Sequence, residues 1–163
     1  MFDQKIDTIL MAMFPVGELR ASIPIAIHIL KLDWSNALFY SLIGNSLITL
    51  MLLYLIDFLK IDRIKYFFTK IIGNFIPIIA TVFIKWENSS LRKSKKLKRW
   101  GYIGLMFFVS VPLPITGAWT AVLIAGILEF KPFKSFLSIT FGLIISGSII
   151  TYLSVYVPNF LGY

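Results

Sequence analysis

The charged residues of the chain are clustered, and the uncharged runs between them predict where helices cross a membrane. Residues 34–56 form an uncharged run of 23 residues between Asp33 and Asp57. A helix needs about 20 apolar residues to cross a bilayer, so this run predicts a first spanning helix. Residues 135–163 are also uncharged, and their first two thirds predict a second spanning helix that ends near Val157.

A third apolar segment, residues 8–30, is interrupted near its middle. Pro15 and Gly17 mark the interruption, and Glu18 and Arg20 follow directly. Proline removes a helical hydrogen bond, and irregular backbone at membrane depth is tolerated only where protein or water surrounds it. The segment therefore predicts either a kinked span or a hairpin that enters and leaves the membrane on the same side.

A fourth apolar segment, residues 100–128, has the same kind of interruption. Pro112, Pro114 and Gly117 divide it into two halves of 11 residues each, 101–111 and 118–128. Two prolines within three residues indicate a real break in the helix.

The two broken segments belong to an apparent internal duplication. A shift of about 98 residues places Pro15 between Pro112 and Pro114 and Gly44 on Gly142. Each half then has a broken segment, a short charged turn and an intact helix. This order predicts an all-α integral membrane protein in a single membrane domain, with repeat 1 at 6–58, a basic connector at 59–100 and repeat 2 at 101–157. Paired interrupted segments in two halves favour a transport site.

Composition supports a membrane protein and excludes several classes of enzyme. The chain is 58% hydrophobic and only 15% charged, whereas soluble domains have about 25% charged residues. The absence of cysteine excludes disulfides and thiolate chemistry, and a single histidine, His28, makes a catalytic triad a poor candidate. We expect no enzyme activity, no cofactor and no metal.

The connector carries the charge that predicts orientation. Residues 57–100 hold eleven Lys or Arg against three acidic residues, a net charge of +8, which places them in the cytoplasm by the positive-inside rule. We expect a multi-pass protein of the plasma membrane with both termini outside. The length of the uncharged run 71–84 favours an interfacial or partly buried helix, and a third span is the alternative. A run of basic residues is expected to lie on anionic lipid rather than on nucleic acid, namely Arg92, Lys93, Lys95, Lys96, Lys98 and Arg99.

The candidate site combines the two breaks. Ionisable residues within the membrane are costly, so Glu18 and Arg20 are functional candidates, although a structural ion pair or a shallow break would also explain them. Backbone N–H groups at the start of the half-helix after Gly17, beside Arg20, predict an anion or phosphate site, and a desolvated Glu18 could carry a proton. The full set of candidate substrate or coupling residues is Glu18, Arg20, Pro15, Gly17, Pro24, Pro112, Pro114, Thr116, Gly117, Trp119 and Thr120.

The second break offers hydroxyl groups, free backbone groups and the indole N–H of Trp119, unless it is only a rigid kink with Trp119 as an interfacial anchor. Asn45 and Ser46 within the first intact helix are expected to hydrogen-bond to a neighbouring helix.

The residues Pro15-Val16-Gly17-Glu18-Leu19-Arg20-Ala21-Ser22-Ile23-Pro24 and Pro112-Leu113-Pro114-Ile115-Thr116-Gly117-Ala118-Trp119 resemble the small multi-drug export protein family of bacteria and archaea, a distant relative of the DedA membrane proteins. The resemblance extends from about Met11 to Tyr152. It implies two opposed re-entrant hairpins and, from the DedA relatives, movement of lipids such as polyprenyl phosphates with proton coupling.

Three functions are compatible with these features. The leading hypothesis is a flippase-like transporter of an anionic lipid or lipid phosphate. Efflux of small cationic drugs, with Glu18 as the counter-charge, is the alternative, and a non-transporting scaffold whose connector recruits lipid or protein is the third. Two intact helices and two half-depth hairpins are too few to enclose a large pathway, so a homo-oligomer is expected.

Overall fold

The computed structural model describes residues 3–15, 17–59, 95–113 and 117–160, and all regular secondary structure within them is helical. The six helices are α1 (Gln4–Met13), α2 (Glu18–His28), α3 (Trp34–Leu59), α4 (Lys95–Ser110), α5 (Ala118–Ile127) and α6 (Pro132–Phe160).

The two helices predicted to span the membrane are present as α3 and α6. Each contains a stretch long and apolar enough to cross a membrane, Trp34–Phe58 in α3 and Pro132–Val157 in α6. Large apolar side chains on their outer faces are more than half exposed, including Phe39 and Met51 on α3 and Phe141 on α6. Continuous exposed apolar surface of this kind is suited to contact with lipid.

Both predicted interruptions are also confirmed. α1 ends at Met13 and α2 begins at Glu18, while α4 ends at Ser110 and α5 begins at Ala118. Pro24 lies inside α2 without ending it.

The end of the predicted basic connector is helical. α4 begins at Lys95, so the basic residues Lys95, Lys96, Lys98 and Arg99 belong to its first two turns. The predicted interfacial segment at 71–84 and the basic residues Arg92 and Lys93 lie outside the described residues.

α1 runs alongside α3 in the same direction. Near the start of both helices, the Lys5 ammonium lies 5.6 Å from the centre of the Tyr40 ring. One turn further along both helices, Gly44 lies directly against the backbone carbonyl of Ile9. Any side chain at Gly44 would overlap that carbonyl, so glycine permits this close approach.

α2 runs back along α3 in the opposite direction. The Ser22 hydroxyl lies 2.9 Å from the Ser41 hydroxyl, and five residues connect the end of α2 at His28 to the start of α3. α1 and α2 therefore form an antiparallel helical hairpin, hairpin 1, against the first part of α3.

α4 and α5 form a second hairpin, hairpin 2, against the first part of α6. The Tyr102 hydroxyl accepts a hydrogen bond from the Lys131 backbone N–H at 3.0 Å, next to the start of α6. Further along, a Cβ atom at Gly142 of α6 would lie 2.7 Å from the Met106 carbonyl oxygen of α4. These two contacts give α4 the same direction as α6, and α5 returns to the start of α6.

The two long helices are antiparallel. A Cβ atom at Gly147, in the second half of α6, would lie 2.9 Å from Leu38 near the start of α3. At the other end of α3, Ile56 contacts Gly126 just before the start of α6. The two hairpins consequently lie at opposite ends of the α3–α6 pair. The apolar core between these helices includes Leu19, Ile23, Leu105, Val109, Val122, Ile139 and Leu143.

Several local features recur at a spacing of 98 residues. Gly44 and Gly142 both allow a long helix to approach the first helix of its own hairpin. Lys31 and Glu129, in the turns before α3 and α6, both have a positive φ, at 55° and 53°. A positive φ is uncommon for residues other than glycine, so the two turns share an unusual backbone conformation.

Contacts between the two halves recur in exchanged form. His28 at the end of α2 lies with its Nε2 atom 3.0 Å from the Ser154 carbonyl oxygen of α6. Gly126 near the end of α5 contacts Ile56 of α3. His28 lies 98 residues before Gly126, and Ile56 lies 98 residues before Ser154. The same pair of positions is therefore in contact twice, with the two halves exchanged.

Candidate functional site

Glu18 is buried at the tip of hairpin 1 in a strained backbone conformation. It is the first residue of α2, only 8% of its surface is exposed, and its φ is 38°. A left-handed conformation costs a residue other than glycine about 1–3 kcal/mol and persists only where the surroundings enforce it. The surroundings of the tip of hairpin 1 therefore enforce the backbone conformation of Glu18.

The Glu18 side chain reaches the start of α5 in hairpin 2. Its Oε1 atom accepts a hydrogen bond from the Trp119 backbone N–H at 3.3 Å. Gly117, the N-cap residue of α5, makes no side-chain cap, and a Cβ atom there would overlap both carboxylate oxygens of Glu18. Glu18 thus caps α5 from 101 residues away, where a carboxylate is favoured by the helix dipole.

Arg20 is half-buried and lies close enough to Glu18 to interact with it electrostatically. The site therefore contains one carboxylate, one guanidinium and the first N–H groups of α5. Together these groups can hold a negatively charged ligand or a neutralised ion pair.

Polar side chains continue from Glu18 along α2 and α3. The Ser22 hydroxyl donates to the Glu18 carbonyl oxygen at 2.6 Å and lies 2.9 Å from the Ser41 hydroxyl. Ser41 is followed on the same buried face of α3 by Asn45 and Thr49. We refer to Ser41, Asn45 and Thr49 as the α3 polar row.

Asn45 differs from the expectation that it bonds to a neighbouring helix. The residue is 0% exposed, and neither Oδ1 nor Nδ2 has a hydrogen-bond partner among the described residues. The indole Nε1 of Trp119 is likewise buried without a partner in the described part of the chain. The sequence predicts a structural role for Asn45, and only its central position in an apolar span marks it as a site residue.

The predicted anion site at the start of α2 stays a prediction, although one of its backbone N–H groups is engaged within the protein. The Glu18 backbone N–H donates to the Phe14 carbonyl oxygen at 3.0 Å, so α2 does not present that group to a ligand. The Glu18 carboxylate lies at the start of α5, because the N-cap residue Gly117 leaves room for it.

The other predicted site residues lie near the contact between Glu18 and the start of α5, or outside the residues that the structure describes. Gly17 is the N-cap of α2, Pro15 is exposed beside it, and Pro24 lies two turns into α2. Pro112 and Thr120 are half-buried on either side of the second break. Pro114 and Thr116 lie outside the described residues.

These features define an all-helical membrane protein in which a buried carboxyl group joins two helical hairpins at a helix start. The chain belongs to the small multi-drug export protein family, whose model matches residues 18–149. The match confirms the family resemblance and covers the first motif from Glu18 onward and the whole of the second. The relationship to DedA proteins stays a prediction. No curated protein and no solved structure matches the chain.

Proposed function

We propose that the protein is a membrane transporter whose binding site is the junction between the two hairpin tips, and that the transported group is an anion, in the first place a lipid phosphate. The observation that carries this proposal is the Glu18 carboxylate at the start of α5. A helix start whose backbone N–H groups donate to a carboxylate of the same chain can also donate to a phosphate.

Glu18 then acts as a resident anion that the substrate replaces. An incoming anion competes with the Glu18 carboxylate for the N–H groups of α5, and Arg20 offsets its charge. Protonation of Glu18 removes the competing negative charge and frees the site. Loss of that proton restores the carboxylate and expels the anion, which couples transport to protons.

The architecture supports alternating access by an inverted repeat. α3 and α6 are antiparallel, and contacts at a spacing of 98 residues are exchanged between the halves, as a two-fold axis in the membrane plane would require. α1 has 10 residues, or about 15 Å of helix, which is about half of a bilayer core of about 30 Å. Re-entrant hairpins of this length from opposite faces would meet near the midplane, where transporters of this kind bind substrate.

The orientation and assembly follow the charge and size of the chain. A cytoplasmic basic connector places the start of α3 outside the plasma membrane. A second copy of the chain would complete the wall of a pathway that two spanning helices cannot enclose. Activity of a strictly monomeric protein in nanodiscs would exclude this assembly without excluding the site.

The test is transport by purified protein in liposomes, with a fluorescent lipid phosphate as the substrate. Glu18→Gln and Arg20→Ala are expected to insert normally and to lose transport, and Glu18→Gln should also lose the response to a proton gradient. Asp33→Asn is the matched control, because Asp33 is an exposed acidic residue in the turn before α3. Wild-type transport by both site variants would contradict the proposal.

Efflux of small cationic drugs is the second candidate, and the family description favours it. In this function Glu18 is the counter-charge for the cation, and Arg20 is its partner when no drug is bound. The two functions differ in substrate charge. Binding of an inorganic phosphate analogue that depends on Arg20 supports the first, whereas binding of a cationic dye that depends on Glu18 supports the second.

A further inference from the structure

The α3 polar row contains a side chain whose hydrogen-bonding capacity is unused by the protein. Asn45 can donate two hydrogen bonds and accept two, and it is fully buried with no partner for either amide atom among the described residues. Buried polar groups are almost always paired with protein or with ordered water, so an amide in this position indicates a ligand. The polarity of the amide suits water, which makes about three hydrogen bonds when buried.

The neighbours of Asn45 on α3 show where its side chain lies. Ser41, one turn earlier, contacts Ser22 of α2. Leu42, on the adjacent face, lies next to Gly147 of α6. On a helix of 3.6 residues per turn, Asn45 falls between these two directions and therefore faces the space between α2 and α6.

The depth of Asn45 matches that of the junction. α2 and α3 are antiparallel with Ser22 opposite Ser41, so one turn before Ser22 in α2 lies opposite one turn after Ser41 in α3. This places Glu18 level with Asn45. The unpartnered amide consequently lies at the level where the Glu18 carboxylate meets hairpin 2.

The equivalent positions in the second half are apolar. Ile139 and Leu143 stand 98 residues after Ser41 and Asn45, and both are buried in the core. Leu105 and Val109 of α4 are buried in the same core. On the long helices, Ser41 and Asn45 therefore lie between the start of α3 and the level of Glu18, while Ile139 and Leu143 occupy the matching positions of α6. The next buried polar side chain toward the start of α6 is Ser135, beyond Ile139.

We propose that Asn45 is the centre of an internal water-binding site that serves Glu18, and that water reaches it from the side of the membrane at which α3 begins. Ser22 and Ser41 are the next hydrogen-bonding groups toward that side. Ile139 and Leu143 keep water out from the other side. The proposal concerns hydration of the protein alone and does not depend on which substrate is transported.

The experiment uses silver ion, which reacts with thiols and needs a hydrated path, and it exploits the absence of native cysteine. Asn45→Cys and Ser41→Cys are prepared in proteoliposomes of known orientation, with Leu143→Cys and Ile139→Cys as matched controls at the equivalent positions. Silver ion is added from one side, and the free thiol that remains is measured after unfolding. Ser41→Cys replaces one oxygen by sulfur, so it keeps the test valid if Asn45→Cys does not fold.

We expect loss of free thiol at positions 41 and 45 when silver ion is added on the side at which α3 begins, and full protection at positions 139 and 143. Equal protection at all four positions would overturn the water site, and reaction from the opposite side alone would overturn its direction. These outcomes are separate from the transport test. A silent Glu18→Gln with a reactive position 45 overturns the transport function only, whereas an inactive Glu18→Gln with a protected position 45 overturns the water site only.

Discussion

The two halves of the molecule share a backbone arrangement but differ in the chemistry they place on it. Both contain a hairpin, a turn with a positive φ and a long helix that approaches the hairpin at a glycine. On the long helices, however, Ser41 and Asn45 of the first half correspond to Ile139 and Leu143 of the second. The common scaffold positions the site, and the first half supplies its polar side chains.

The second half contributes backbone rather than side-chain chemistry. Its hairpin tip offers the Trp119 N–H to Glu18, with Gly117 as an N-cap residue that leaves space for the carboxylate. A charge from one half is thus matched with a helix start from the other. Neither hairpin tip is therefore a complete site without its counterpart.

The largest expected effect tests the shared scaffold. A Cβ atom at Gly44 would overlap the Ile9 carbonyl, and one at Gly142 would lie 2.7 Å from the Met106 carbonyl oxygen. Backbone atoms cannot rotate away, so Gly44→Ala and Gly142→Ala should each lower the free energy of unfolding by about 3 kcal/mol, the upper end for overpacking. Denaturant unfolding in detergent measures this change.

Gly104→Ala is the matched control for these two variants, because a Cβ atom at Gly104 meets nothing within 4 Å. Alanine is the better helix former, so this variant should be neutral or more stable by up to about 1 kcal/mol. Equal losses in all three variants would show that the glycines do not mark equivalent close contacts.

The next effect tests the difference between the halves. Leu143→Asn places an amide in the apolar core, and we expect a loss of about 1–3 kcal/mol in the free energy of unfolding. Asn45→Leu removes an amide that has no protein partner in the described residues and should be nearly neutral. Denaturant unfolding of the two variants measures these changes. If Leu143→Asn and Asn45→Leu lose the same free energy of unfolding, a buried amide is tolerated equally well in the two halves.

A smaller effect tests the contact between the halves. Gly117→Ala pushes the Glu18 carboxylate away from α5, and because a side chain can rotate we expect a loss of only about 1 kcal/mol, the lower end for overpacking. Adding Glu18→Asp shortens the side chain and should recover part of that stability. If the second change lowers stability further, the overlap at Gly117 is not the cause.

The smallest effect concerns the hydroxyl beside Glu18. Ser22→Ala removes the hydroxyl that contacts both the Glu18 carbonyl and Ser41, and one hydrogen bond contributes about 0.5–1.5 kcal/mol. Thr120→Val, at the equivalent position in α5, should cost less because the counterpart of Ser41 in the second half is Ile139, which has no hydroxyl group. Thermal unfolding of the two variants compares their stability. A larger loss of stability for Thr120→Val would contradict the conclusion that the first half supplies the polar side chains.

Much of the fold could be predicted because charge and proline mark helix boundaries directly. The gap between Asp33 and Asp57 gives the apolar part of α3, and the breaks at Pro15 and Pro112 separate the helices of each hairpin. Both kinds of residue act locally, since charge is costly within a span and proline removes a helical hydrogen bond, which ends the helix at the two breaks but not at Pro24. Their effects are therefore visible without tertiary information.

The site could be predicted only in part. Glu18 was identifiable because its charge lies in an apolar segment, but its partner Trp119 is 101 residues away and contributes only a backbone N–H, which every residue except proline has. The central position of Asn45 in an apolar span is a weak signal, because an asparagine in a membrane helix usually finds a partner on a neighbour. Its unpaired state depends on packing between three helices.

The long separation of Glu18 from its capping partner also has a consequence for biosynthesis. A ribosome that adds about 5–20 residues per second completes Trp119 about 5–20 s after Glu18. During that interval hairpin 1 must hold a carboxyl group at its tip without the helix start that will stabilise it. Its final burial is therefore a late step of maturation, and insertion machinery that shelters a charged, partly inserted hairpin would act on this protein during those seconds.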